Sequence, residues 1–71
     1  MSNKKIKIIV NGFAEEVPEG SSVSFLQKHF QEMDPHLLTE VNGRFVYPQD
    51  YNTTIINEGD KVEFINPNLG G

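Results

Sequence analysis

The sequence predicts an α+β fold in which one helix lies across one face of a mixed sheet of four or five strands. Three observations carry that expectation: alternating apolar residues near both ends of the chain, one stretch with apolar residues at helical spacing, and two Asn-Gly pairs where strands must reverse. A chain of 71 residues makes one domain, near the lower limit for a core without covalent staples.

From Lys5 to Val10 the pattern alternates, with Ile6, Ile8 and Val10 on one face and Lys5 and Lys7 on the other. That is a half-buried strand, with Ile9 the one apolar residue on the polar side. Asn11-Gly12 tolerates positive φ at both positions and marks a two-residue hairpin turn. Phe13 to Val17 returns as the second strand, with imperfect parity: if Phe13 and Val17 face inward, Glu15 does too. An edge position or a bulge would each account for this. Pro18-Glu19-Gly20 breaks the chain, and Ser21 and Ser22 offer hydroxyls to cap a helix, Ser22 being the better placed. Val23, Leu26, Phe30 and Met33 then form one apolar stripe, widened by Phe25, while Gln27, Lys28, Gln31 and Glu32 face water. The helix is expected to stop at Asp34-Pro35, because the residue before a proline is pushed out of the helical region.

Leu37 to Val41 reads as a third strand, with Leu37, Thr39 and Val41 as its inner set. Asn42-Gly43 turns the chain into a short fourth strand, Arg44-Phe45-Val46. Tyr47 to Ile56 is irregular or holds a short turn of helix, and Asn57-Glu58-Gly59-Asp60 is another tight turn. Lys61 to Asn66 is the last strand, with Val62 and Phe64 alternating against Glu63 and Ile65. Val-Asn-Gly thus occurs at 10–12 and again at 41–43, which reads as one turn solution used twice. If the last strand pairs with the first, both are central and parallel, as their apolar content suggests. The result is the β-grasp arrangement, which ubiquitin also has. It divides the chain into a domain over residues 1–66 and a flexible tail over residues 67–71.

That tail differs from everything before it. Pro67 cannot donate a ladder hydrogen bond, Asn68 and Leu69 are uncharged, and Gly70 and Gly71 have no Cβ. From Pro67 to Gly71 five extended residues reach about 16 Å, enough to enter a narrow channel from a docked body. A terminal α-carboxyl titrates near ~3.5, so on Gly71 it would be an ionised nucleophile at neutral pH.

Composition removes most other chemistry. There is no cysteine, hence no disulfide, thiol nucleophile or thiolate metal site. Ten acidic against six basic residues give a net charge of −4, which repels phosphate backbones and suits a protein partner with a basic docking surface. No apolar run approaches a membrane helix and no leader pattern follows Met1, so a soluble cytoplasmic protein is expected. His29 and His36 fall on a helix and in a loop without further matched ligands, and read as ordinary polar histidines rather than a metal site. Glu15, Glu16 and Glu19 read as a solvated acidic edge that discourages sheet-to-sheet association. No side chain is expected to be catalytic, since there is no nucleophile–base pair and no phosphate-cradling loop. Ile65 is expected on the outward face beside the tail, and Phe45 shares that parity if Val46 is buried. With Leu69 they make a candidate docking patch that would guide the tail into a partner.

Several short anchors occur in one order along the chain: Val10-Asn11-Gly12, Pro18-Glu19-Gly20 before Ser22-Val23, and Val41-Asn42-Gly43 leading to Val46. Gly59-Asp60 with Val62-Glu63-Phe64, then Pro67 to Gly70-Gly71, complete the series. In these, over nearly its whole length, the chain resembles the sulfur carrier proteins of the ThiS/MoaD type, and ThiS most closely. It departs in having Asn68-Leu69 where family members commonly carry small residues, and Tyr47 after Val46. The resemblance implies a carrier rather than an enzyme, monomeric alone and binding no cofactor. It implies that an E1-like adenylyltransferase of the ThiF/MoeB type consumes ATP to adenylate Gly71, with Pro67, Asn68, Leu69 and Gly70 threading the partner. A sulfur donor such as a cysteine desulfurase or rhodanese would then form a thiocarboxylate, which gives its sulfur to thiazole synthase or another acceptor enzyme. Without a thiol in the chain, only the C-terminal acyl group can hold that sulfur. Two alternatives stand beside this: the small subunit of molybdopterin synthase or a carrier for another sulfur pathway, and, in a different class, a non-catalytic ubiquitin-like binding module or protein modifier.

Overall fold

The computed structural model describes residues 4–67. Strands β1 (Lys5–Val10), β2 (Phe13–Pro18), β3 (Leu38–Val41), β4 (Arg44–Val46) and β5 (Lys61–Ile65) form one sheet in the order β2-β1-β5-β3-β4. β1 and β5 are parallel, and every other neighbouring pair is antiparallel. One helix, α1 (Val23–His29), and a single 3₁₀ turn, Pro48–Asp50, complete the expected β-grasp.

Alternation in the strands builds the core. Ile6, Ile8 and Val10 of β1, Val17 of β2, and Val62 and Phe64 of β5 meet Val23 and Leu26 of α1, with Ile56 closing the layer. Ser22 caps α1 by accepting a hydrogen bond from the Phe25 amide at 3.1 Å. The first turn of α1 is also tied to the segment after the 3₁₀ turn: Val23 N–H donates to Thr54, Ser24 N–H to Tyr51, and Ile56 N–H to Ser21. Thr39, buried in β3, hydrogen-bonds the Tyr51 hydroxyl at 3.1 Å, so no buried polar side-chain atom is left without a partner among the described residues.

Two sequence expectations change. The helix ends at His29, one turn before Asp34-Pro35, and Met33 is exposed rather than part of the stripe. Gln31 takes a left-handed conformation, φ +58°, with Gln31 N–H donating to Lys28 and Glu32 N–H to Gln27. This is a Schellman stop built without glycine, and the sequence offers no usual sign of it. The third strand starts at Leu38 rather than Leu37, with Leu37 packed on the core from outside the sheet. Phe13 shares the inward parity of Val17 yet is 69% exposed. The β1–β2 register runs unbroken from Lys5↔Pro18 to Val10↔Phe13, so the edge position, without a bulge, accounts for it.

Both Asn-Gly turns do more than reverse the chain. Asn11 and Asn42 have φ of +50° and +53°, and each side chain reaches the backbone of β5. Asn42 N–H donates to the Lys61 carbonyl at 2.7 Å, and Asn42 Oδ1 accepts from Lys61 N–H at 2.9 Å. Asn11 N–H donates to the Val62 carbonyl at 3.0 Å, and Asn11 Oδ1 accepts from Phe64 N–H at 2.9 Å. In each case the carboxamide oxygen takes the ladder position that a strand residue fills with its own carbonyl. β5 is thereby paired beyond the ends of the neighbouring strands.

Two measurements check this account. Leu26→Ala empties the centre of the core and is expected to lose about 2–5 kcal/mol, most of what a domain this size has, in urea denaturation. Asn42 Nδ2 also donates to Asp60 Oδ1 at 2.9 Å. Asn42→Asp faces that carboxylate with another and is expected to cost about 1–2 kcal/mol at neutral pH. Like charge raises the folded-state carboxylate affinity for protons, so the deficit relative to the parent shrinks as pH falls into the carboxylate range.

Candidate functional site

The side of the sheet away from α1 divides into two halves. Lys5, Lys7, Ile9 and Lys61 alternate with the core residues of β1 and β5 and lie on this outer side, with Ala14, Glu16 and Pro18 across from β1. On β3, β4 and the end of β5 the same parity brings out Leu38, Glu40, Phe45, Glu63 and Ile65. Leu38 stands directly opposite Ile65, and Glu40 lies between Phe45 and Glu63. Tyr47 follows Phe45 by two residues, and their rings meet edge-to-face with centroids 4.9 Å apart at 81°.

The structure therefore places Ile65 and Phe45 on one face, as parity suggested, and adds Leu38 and Tyr47. Ile65 is half-buried, while Leu38, Phe45 and Tyr47 are exposed. Val46, the residue whose burial decided the parity of Phe45, packs against the core. Leu38 could have been found in the sequence, since the inner set Leu37, Thr39 and Val41 leaves it facing out. Tyr47 carried a weaker signal, an aromatic at i+2 from Phe45. An apolar group of this kind on an open sheet face is a candidate interaction surface.

Its electrostatics point the same way. Glu40 and Glu63 are a direct cross-strand pair of like charge, and neither forms an ion pair among the described residues. Such a pair opposes sheet pairing. A cationic group on a partner would relieve it.

Pro67 is exposed, two residues beyond β5. Gly71, Gly70, Leu69 and Asn68 lie outside the described residues, and with them the expected carrying position and every expected threading position except Pro67. The histidines are far from forming a site. His29 stacks on Phe25 and meets Phe30 edge-on, while His36 Nδ1 is 3.1 Å from Asp34 Oδ1. The His36 backbone N–H, with its ring, holds the Asp34 carboxyl below its ordinary range. No group of three His, Cys, Asp or Glu among the described residues could hold a metal ion. Glu15 and Glu16 lie along β2, an edge strand, and Glu19 follows it. A shallow hollow beside Lys7, Ala14, Glu15 and Glu16 is open to solvent and holds no nucleophile. No helix among the described residues is long and apolar enough to cross a membrane.

Residues 3–71 match the ThiS family. The chain belongs to that family. Membership supports the role of a sulfur carrier in general. A solved structure of similar shape is the thiamine biosynthesis protein (ThiS) from Geobacter metallireducens, with a TM-score of 0.81 and 26% identity over 93% of this chain and 100% of that one. The uncharacterized protein ycf40 of Porphyra purpurea is 32% identical over 71 residues, the full length of both chains. The strand order and single helix thus carry the β-grasp fold of a ThiS protein.

The exposed apolar face should be nearly dispensable for folding. Phe45→Ala is expected to lose only about 0.5–1.5 kcal/mol, the worth of its ring pair. Glu63→Gln is expected to raise stability by about 0.2–1 kcal/mol by removing a like-charge pair. Urea melts of both variants beside Leu26→Ala check the ranking.

Proposed function

We propose that the chain carries sulfur on the α-carboxylate of Gly71 and delivers it to the thiazole branch of thiamine biosynthesis. The observation that carries this is a ThiS-family β-grasp with an acid-flanked apolar face at the root of a chain segment ending in Gly70-Gly71. The name of the Geobacter structure supports the choice of pathway.

In this reading an E1-like adenylyltransferase docks on Leu38, Phe45, Tyr47 and Ile65 and presents basic side chains to Glu40 and Glu63. The carboxylate oxygen of Gly71 attacks the α-phosphorus of ATP and pyrophosphate leaves. A sulfide equivalent from a donor protein then displaces AMP at the acyl carbon, leaving a thiocarboxylate. The chain contributes the carboxylate and its placement. Gly70 and Gly71 offer no Cβ to a closed channel, Asn68 and Leu69 add no charge to desolvate, and the absence of cysteine confines sulfur to the acyl end. ATP and every catalytic group belong to the partner.

Intact-mass analysis after incubation with a cognate activating enzyme, ATP and a sulfur source should show one oxygen replaced by sulfur on the C-terminal peptide. Deleting Gly71 should abolish the change. An unchanged mass in the parent chain, together with unaltered thiazole synthesis on Gly71 deletion, would sink the proposal. Phe45→Asp should keep the fold and raise the KM of the activating enzyme for the carrier by roughly tenfold or more, since a central apolar contact is replaced by a third negative charge.

A further inference from the structure

We infer that Asn11 is a positioning residue for the tail, fixing where the chain leaves the sheet. The inference rests on Gly71 as the delivered end. β1 stops at Val10, while β5 continues to Ile65. Register on that flank is Ile9↔Lys61 and Val10↔Val62, so the residue next in line, opposite Glu63, is Asn11. In a parallel ladder that residue donates to position 62 and accepts from position 64. Asn11 does donate its N–H to Val62, but its left-handed conformation, φ +50°, turns its own carbonyl out of the ladder. Oδ1 accepts from Phe64 N–H instead, at 2.9 Å.

This bond is the last on the β1 flank of β5 among those between described residues. On the other flank Leu38 pairs with Ile65. The root of the tail is therefore held between Leu38, which belongs to the docking face, and Asn11, which does not. On the β3 flank Pro67 then lacks the N–H that could carry the ladder further. With the Asn11 bond intact, the angle at which residues leave β5 is set relative to Leu38, Phe45, Tyr47 and Ile65. Without it, Phe64 has an unpaired N–H and β5 is free to peel from β1 at the point where the tail begins. Asn11 touches no reacting atom. It acts through Phe64.

The test uses two full-length variants. Asn11→Gly keeps the left-handed turn but loses the acceptor, whereas Asn11→Asp keeps both. Hydrogen exchange followed by NMR should show the Phe64 amide exchanging roughly tenfold faster in Asn11→Gly, the worth of one lost bond, with Ile8 and Leu26 protected as in the parent. Asn11→Asp should stay within about twofold of the parent at Phe64. With an E1-like adenylyltransferase that adenylates the parent chain, KM for Asn11→Gly should rise several-fold while Asn11→Asp is restored. Phe45→Ala should also raise KM but leave Phe64 exchange at the parental rate. Parental exchange in Asn11→Gly would show that no clamp exists. Faster exchange with unchanged KM would show a clamp without a positioning role, and failure of Asn11→Asp to rescue would trace the defect to packing. If the parent chain itself is not adenylated, the sulfur-carrier reading and the delivery role fail together, and the exchange arm alone then decides whether Asn11 anchors β5.

Discussion

Everything in this molecule depends on the backbone pairing of β5. It is the third strand of five, with β1 parallel on one side and β3 antiparallel on the other. Its inner residues, Val62 and Phe64, fill the core, and its outer residues, Glu63 and Ile65, belong to the exposed face. Neither neighbour is long enough to satisfy it alone. Two carboxamides complete the ladder, Asn42 at Lys61 and Asn11 at Phe64. A buried or half-buried amide without a partner is costly, so these side chains decide how far the strand extends in each direction.

That arrangement explains why Val-Asn-Gly is used twice. A two-residue turn needs positive φ at both central residues, which Asn and Gly both tolerate. Gly at the first position would make the turn equally well but would carry no oxygen to β5. The repetition was visible in the sequence, and the turns were read from it. The second role was not, because it depends on β5 lying beside both turns, contacts 53 residues apart for Asn11 and 19 for Asn42. The same limit applies to the end of α1. Periodicity continued through Phe30 to Met33, but Gln31 entered the left-handed region and closed the helix early. A glycine would have announced that stop; a glutamine does not. By contrast, the alternation of β1 and β5, the Ser22 cap and the outward parity of Phe45 and Ile65 are local properties, and local properties are what a sequence displays.

The exposed face combines features that folding alone would not favour. Phe45 and Tyr47 meet edge-to-face at the surface, Leu38 and Ile65 oppose each other beside them, and two glutamates pair across a ladder with no ion-pair partner among the described residues. Each lowers stability or solubility a little when the chain is alone. Together they suit a partner offering apolar area and positive charge, and they sit where β5 gives way to the tail. Elsewhere the described residues lack this coincidence. Phe13, Met33 and Ile55 are exposed in other segments, and the acidic residues of the β2 edge have the simpler task of keeping an unpaired strand from associating.

The placement of β5 also has a consequence for synthesis of the chain. Of the five strands among the described residues, the one at the centre of the sheet comes last in sequence and its parallel partner comes first. Helix α1, two turns long, has too little internal bonding to persist by itself. No large part of the fold can therefore form and wait for the remainder, and folding must follow release of nearly the whole chain. A nascent or truncated product without β5 has neither the glycines nor Ile65. A product with the glycines but with β5 out of place has no assembled face to offer. The exposed face and the start of the segment that leaves it are therefore completed in the same event, the insertion of β5 between β1 and β3.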